Sequence, residues 1–253
     1  MDNPQIQEVL PTLRDICSKS ESCFESYYVG KIIGDGKDGP EQALERVQGF
    51  LYYSNYLDLT WLELCAVRAA RRSSPKKVAF IGSGPLPLTS LCLLQELKKD
   101  LQSGSRAEDI EILNIDCDSS ALGTSQRLCE ALGDWSKGMK FLCAVAGSPE
   151  VDLRDYDVVY LAALVGMSQE EKEDITINVA GTMRPGSLLV IRSAIGIRTC
   201  LYLEFDIATE KLLEKLEPCL TMHPHGEVVN SVIVAKVKGS ETSLSCQKMT
   251  NHV

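Results

Sequence analysis

Apolar positions change their period once along the chain. Through residues 5–72 they recur at helical spacing, as in the run Ile6, Val9, Leu10, Leu13 and Ile16. The cluster Asp35-Gly36-Lys37-Asp38-Gly39-Pro40 predicts a turn between helices, and a further helical stretch covers about residues 57–71. Beyond Arg72-Ser73-Ser74-Pro75 the pattern becomes short apolar runs at 78–81, 110–115, 140–145, 158–161 and 188–191. Helical segments near 88–97, 120–132 and 169–183 separate them. Strands alternating with helices predict a parallel sheet with right-handed crossovers. Two last strands, near 219–222 and 231–237, are joined only by residues 223–230, too short for a crossover helix. They are expected to pair as an antiparallel hairpin at the sheet edge. The expectation is an α/β, Rossmann-like chain: a helical cap over 1–75, the sheet domain over 76–238, and a polar, disordered tail over 239–253.

Composition narrows the function classes. The 253 residues carry 44% apolar and 24% charged side chains, ordinary values for a globular chain, and a net charge of −9. The basic run Arg68, Arg71, Arg72, Lys76 and Lys77 reads as a solvated helix end, so no nucleic-acid partner is expected. No run of 18 apolar residues predicts a membrane span, and the N-terminus lacks the pattern of a secretory signal. A cytoplasmic location is therefore expected. The ten cysteines form no C-x-x-C. Cys65, Cys92, Cys117, Cys129 and Cys143 fall inside predicted elements and are expected to be reduced core residues. Three histidines without a usable ligand pair argue against zinc.

Ligands of doubly wound sheets sit outside the carboxyl ends of the strands. The first strand runs into Gly82-Ser83-Gly84-Pro85-Leu86-Pro87-Leu88, where two glycines admit a ligand close to the backbone. A lone G-x-G is weak evidence, but here the second strand ends in Asn114-Ile115-Asp116-Cys117-Asp118. Asp116 is placed to accept from ribose hydroxyls, and Asp118 suits the N-cap of the next helix. Pro85 and Pro87 remove N–H groups that would cradle a pyrophosphate, and Pro87 stands where a third glycine would be. S-adenosylmethionine, with an amino-acid tail, fits this loop better than NAD. The expected fold class is thus a Rossmann-like, class I S-adenosylmethionine-binding sheet.

Several long runs carry a family resemblance. Residues 78–90, the run Tyr156-Asp157-Val158-Val159-Tyr160-Leu161-Ala162-Ala163-Leu164-Val165-Gly166-Met167, the triplet Arg192-Ser193-Ala194, and residues 227–235 resemble the nicotianamine synthases. So does Tyr52-Tyr53-Ser54-Asn55-Tyr56 followed by Glu63. The resemblance covers about residues 50–238. It implies that the 3-amino-3-carboxypropyl arm of S-adenosylmethionine passes to an amine of an amino-acid substrate and methylthioadenosine departs. Such chemistry needs orientation of the arm, a neutral amine and donors for carboxylates.

On that resemblance, Asp116 is expected to hold the ribose, and Gly82, Ser83, Gly84 and Pro85 to line sugar and arm. Cys117, Val145 and Leu161, near the ends of the next strands, complete the expected cofactor set. Glu63 is the candidate base or ammonium anchor, with a solvated helix-face glutamate as the alternative. Tyr53 and Tyr56 are expected to wall the site or pack the core. Arg192 is the candidate carboxylate holder, with an ion pair to Glu227 or a strand-edge carboxylate as the alternative, and Asn230 is a ligand contact or a turn residue. His223 and His225 read as turn residues. Three departures stand out: Val145, Ile195 and Gly226 replace an acid, a histidine and an acid of the family pattern. Alternatives to amine transfer are self-attack of the cofactor's own amine to give azetidine-2-carboxylate, ordinary methyl transfer, and a non-catalytic binding protein. The residues leave the oligomeric state open.

Overall fold

A computed structural model describes residues 4–100 and 110–239. Helices α1 (Pro4–Ile33), α2 (Pro40–Gln48) and α3 (Tyr53–Ala70) lead into β1 (Lys77–Ile81), α4 (Leu88–Lys99), β2 (Glu111–Asp116) and α5 (Ser119–Leu132). Then follow β3 (Met139–Cys143), β4 (Val158–Leu161), α6 (Gln169–Thr182), β5 (Leu188–Ser193), α7 (Glu210–Lys215), β6 (Leu216–Met222) and β7 (Ser231–Val237). The sheet order is β3-β2-β1-β4-β5-β7-β6. β1 to β5 pair in parallel, while β7 runs antiparallel to both β5 and β6. This is the class I Rossmann-like fold. The hairpin read from the sequence forms, with β6 outermost and β7 inside the sheet.

Side chains alternate across the strands and build a core on each face. On one face Val78, Phe80, Ile112, Val158, Tyr160 and Val190 meet Leu64 and Val67 of α3 and Leu93, Leu94 and Leu97 of α4. On the other, Ala79, Ile81, Val159, Leu161, Leu189 and Ile191 meet Val179 and Ala180 of α6. A third cluster joins Val29 and Ile32 of α1 and Val47 of α2 to Leu91 of α4 and Leu128 of α5. α3 is therefore built into the sheet's own sandwich, which fixes its polar residues relative to the strand ends.

Some expectations are corrected. Cys92 and Cys129 are buried, but Cys65, Cys117 and Cys143 are exposed, and the described cysteines are all free. In the first run of α1 only Leu10 is buried; Ile6, Val9, Leu13 and Ile16 are exposed. β3 stops at Cys143, leaving Val145 in the following loop. The short α7 and the break between α2 and α3 carry no clear periodic signal. The basic run is neutralised in part by acids: Arg68 pairs with Asp100, Arg71 with Asp157 and Lys77 with Asp155. Among the described residues no helix is long and apolar enough to cross a membrane. The predicted tail falls outside the described residues except for Gly239.

Candidate active site

A cavity of about 1150 Å³ opens at the carboxyl ends of the parallel strands, roofed by α1 and α3. Its first wall is the turn after β1. Gly82 has φ +81°, and a Cβ there would lie 2.4 Å from Val165 Cγ2, so two loops meet at a contact only glycine allows. The turn is tied to the tip of β2. Gly82 N–H donates to Ile115 O at 2.8 Å, and Gly84 N–H to Asp116 Oδ2 at 2.8 Å. Asp118 N–H donates to Asp116 Oδ1 at 2.9 Å. Each Asp116 oxygen thus carries one backbone bond and keeps further acceptor capacity, and the residue lines the cavity. Asp118 itself caps α5, accepting from Ser120 and Ala121 N–H as its position predicts.

The floor is the loop after β4. Fully buried Lys172, in the first turns of α6, donates from Nζ to the carbonyls of Ala162, Ala163 and Val165 at 3.0, 3.1 and 3.0 Å. Burial, and the nearby charge of Arg192, lower its pKa to about 7. Gly166 (φ +78°) lets the loop turn against Lys172, whose Cα lies 2.6 Å from where a Cβ would stand.

The back wall is Arg192 at the end of β5. Its Nε and Nη2 donate to Glu63 Oε1 and Oε2 at 2.7 and 3.2 Å, and Nη2 also donates to Thr89 Oγ1 at 3.0 Å. The guanidinium stacks over Phe80, 5.1 Å from its centroid. Burial opposes its charge, but Glu63 outweighs that and holds the pKa above the usual arginine value. From α1, Glu21 and Glu25 reach into the same space. Tyr202 Oη donates to Glu21 Oε1 at 2.6 Å, and Tyr56 Oη to Glu25 Oε1 at 3.0 Å. Burial raises both carboxyls, that of Glu25 to about 8.

The structure brings Gly82, Ser83, Gly84, Pro85, Asp116, Cys117, Val145, Arg192, Asn230 and Tyr56 to the cavity wall. Three expected residues lie elsewhere. Leu161 points into the core shared with α6, because it falls on the opposite side of β4 from Tyr160. Tyr53 packs against the cluster beneath α1. Glu63 is fully buried behind Arg192, which removes the reading of a solvated helix glutamate and also supplies Arg192's partner in place of Glu227. His223 Nδ1 lies 2.9 Å from Ser231 Oγ, a strand-entry contact. The sequence reading missed Glu21, Glu25 and Tyr202. Glu21 and Glu25 stand four apart on one helix and therefore share a face, a signal that was present; Tyr202 sits in an irregular segment that offers none.

The fold and this wall define a class: S-adenosylmethionine-dependent transferases, whose glycine turn after β1 and acid at the tip of β2 face one cleft. The comparisons with known proteins narrow it. The family model for nicotianamine synthase protein matches residues 1–242. Nicotianamine synthase of Solanum lycopersicum is 38% identical over 232 residues, 92% of this chain and 68% of that protein. Probable nicotianamine synthase 4 of Arabidopsis thaliana is 36% identical over 94% of this chain and 69% of its own length. A solved structure of MtNAS in complex with MTA and tNA aligns with TM-score 0.72 at 20% identity, over 94% of this chain and 79% of that one. Magnesium protoporphyrin IX methyltransferase of Synechocystis PCC 6803 shares the fold at TM-score 0.54 and 16% identity, over 91% of this chain and 97% of that one. The chain belongs to the nicotianamine synthase family, and as such is an S-adenosylmethionine-dependent transferase.

Proposed function

We propose that this protein transfers the 3-amino-3-carboxypropyl group of S-adenosylmethionine to an amine. A bond forms between the amine nitrogen and the arm's terminal carbon, the carbon–sulfur bond breaks, methylthioadenosine leaves and one proton is released. The observation that carries this reading is family membership over residues 1–242, with the family's runs all placed around one cavity.

The wall is suited to the adenosyl group. Asp116 offers lone pairs to ribose hydroxyls, and the glycine turn admits close backbone approach. Ser83 Oγ and Asn230 Nδ2 are buried at the cavity without a hydrogen-bond partner among the described residues, groups that a ligand would satisfy. Cys117 and Val145 border the adenine end, where Val145 provides an apolar contact. Acidic side chains outnumber the one guanidinium on the cavity lining among the described residues, a balance that favours the sulfonium over the uncharged thioether that leaves. In this reading Arg192 takes a substrate carboxylate. Glu63, buried behind Arg192 and off the cavity wall, holds that guanidinium in position.

The volume, about 1150 Å³, lies above the roughly 300–1,000 Å³ of a pocket for one drug-sized ligand. That favours an outside acceptor over self-attack to azetidine-2-carboxylate. Incubation of the protein with S-adenosylmethionine alone, with products read by mass spectrometry, tests the proposal. An amine-linked product alongside methylthioadenosine is expected; free azetidine-2-carboxylate would establish self-attack instead.

A further inference from the structure

Lys172 is a fully buried ammonium, and its three N–H bonds all go to backbone carbonyls, those of Ala162, Ala163 and Val165. None is left for a counter-charge. A buried cation held by dipoles alone is costly, and an apolar side chain of the same length would avoid that cost. What the ammonium supplies is three donors on one atom, a set that only lysine carries. The three carbonyls belong to the loop between β4 and α6, and that loop bears on the glycine turn. Ala162 N–H donates to Ile81 O at 3.0 Å, one residue before Gly82. A Cβ at Gly82 would meet Val165 Cγ2 at 2.4 Å and Ala162 Cβ at 3.0 Å, so turn and loop touch without slack. Loop and turn both line the cavity, while Lys172 lies one layer behind them.

We propose that Lys172 is a positioning residue for the adenosyl group. Its charged form draws three carbonyls to one point and seats the β4–α6 loop against Gly82; loss of its proton unseats the loop. A neutral amine keeps two N–H bonds and gains a lone pair, so one of the three carbonyls then faces that lone pair and is released. Burial, and the charge of Arg192 on β5, lower the Lys172 pKa to about 7, against Glu171 of its own helix, which raises it. Of the other charged groups nearby, Glu173 lies 4.0 Å from Lys211 of α7, and Arg14 of α1 and Tyr202 border the loop from outside. Residues 162–167 of the loop carry no titratable side chain. A ligand that needs the seated loop therefore binds the charged form, and above about pH 7 its arrival adds a proton to Nζ. The inference rests on the reading that the adenosyl group lies along Gly82–Gly84 and Asp116.

Calorimetry of methylthioadenosine on the full chain tests this, since that ligand has no group of its own titrating near neutral pH. Wild-type affinity is expected to fall roughly tenfold between about pH 6 and about pH 8, the loss when only the protonated form of such a group binds. At about pH 8 the binding enthalpy depends on the buffer, reporting proton uptake. Lys172→Met keeps the length and removes the proton; it is expected to bind more weakly at the lower pH and to show no step. Glu171→Gln still offers an acceptor to Met167 N–H but loses the charge that favours the ammonium, so the midpoint moves to lower pH. A residue that only fills space would not produce that shift, and it decides the matter if Lys172→Met folds poorly. Glu25, whose carboxyl burial raises to about 8, stands on the other side of the glycine turn, so Glu25→Gln is the control and is expected to keep the step. A flat wild-type affinity overturns the proposal, as does a step that survives in Lys172→Met or vanishes in Glu25→Gln. A midpoint unmoved in Glu171→Gln overturns it too. Failure of the wild type to bind methylthioadenosine at either pH overturns the adenosyl reading instead, a different result.

Discussion

Arg192 of β5 and Glu63 of α3, 129 residues apart in sequence, meet in a two-pronged ion pair with bonds of 2.7 and 3.2 Å. The pair joins the end of the parallel sheet to the helical segment before it, and its cationic side faces the cavity. Glu63→Gln keeps the shape and removes the charge. Turnover is expected to fall by roughly tenfold or more, because Arg192 loses the partner that positions it, while methylthioadenosine still binds. The variant also leaves a buried guanidinium without its counter-charge, so a lower melting temperature is expected. Full turnover in this variant would remove Glu63 from the chemistry.

Asp116 accepts from Gly84 and Asp118 N–H, so it both orders the glycine turn and faces the ligand. Asp116→Ala is expected to weaken methylthioadenosine binding by about 1–3 kcal/mol, the scale of lost hydrogen bonds to a charged group. Unchanged affinity in calorimetry would take Asp116 out of the site.

Gly82 stands at positive φ, with Val165 Cγ2 2.4 Å from the place of a Cβ. Gly82→Ala must strain the backbone and displace the β4–α6 loop. A destabilisation of about 1–3 kcal/mol is expected from the backbone alone, read by denaturant unfolding. Loss of methylthioadenosine binding is expected to accompany it, because the loop that Lys172 clamps from below lines the cavity.

The sheet was legible because its strands are short apolar runs set between helices, and the loop lengths dictate parallel or antiparallel pairing. The glycine turn and Asp116 were legible for the same reason: they lie at fixed places relative to two strands. Glu63 and Arg192 were both singled out, but their pairing was not, since nothing in sequence fixes which carboxylate of the cap crosses to β5. Leu161 was misplaced by one step of strand alternation, which sends it to the α6 face. The α1 wall escaped because its apolar run near the N-terminus is exposed, while the face that lines the cavity lies further along, at Glu21 and Glu25.

Glu25 also sets a pH dependence. Burial lifts its folded pKa from the ordinary 4.5 to about 8, so between these values the folded chain holds a proton that the unfolded chain has lost. Stability from this group is fully present below about pH 4.5 and is lost as pH rises through about 8. In urea unfolding, Glu25→Gln is expected to flatten the fall in stability across that window. An unaltered slope would show that Glu25 is not the group responsible.

In the proposed reaction the arm of S-adenosylmethionine moves and its methyl group stays on sulfur. Supplying the cofactor with a carbon-13 methyl group and following the label by mass spectrometry tests this directly. The label is expected to leave on methylthioadenosine, with none in the amine product beyond natural abundance. Label in the acceptor, with adenosylhomocysteine as the co-product, would contradict it and identify a methyltransferase.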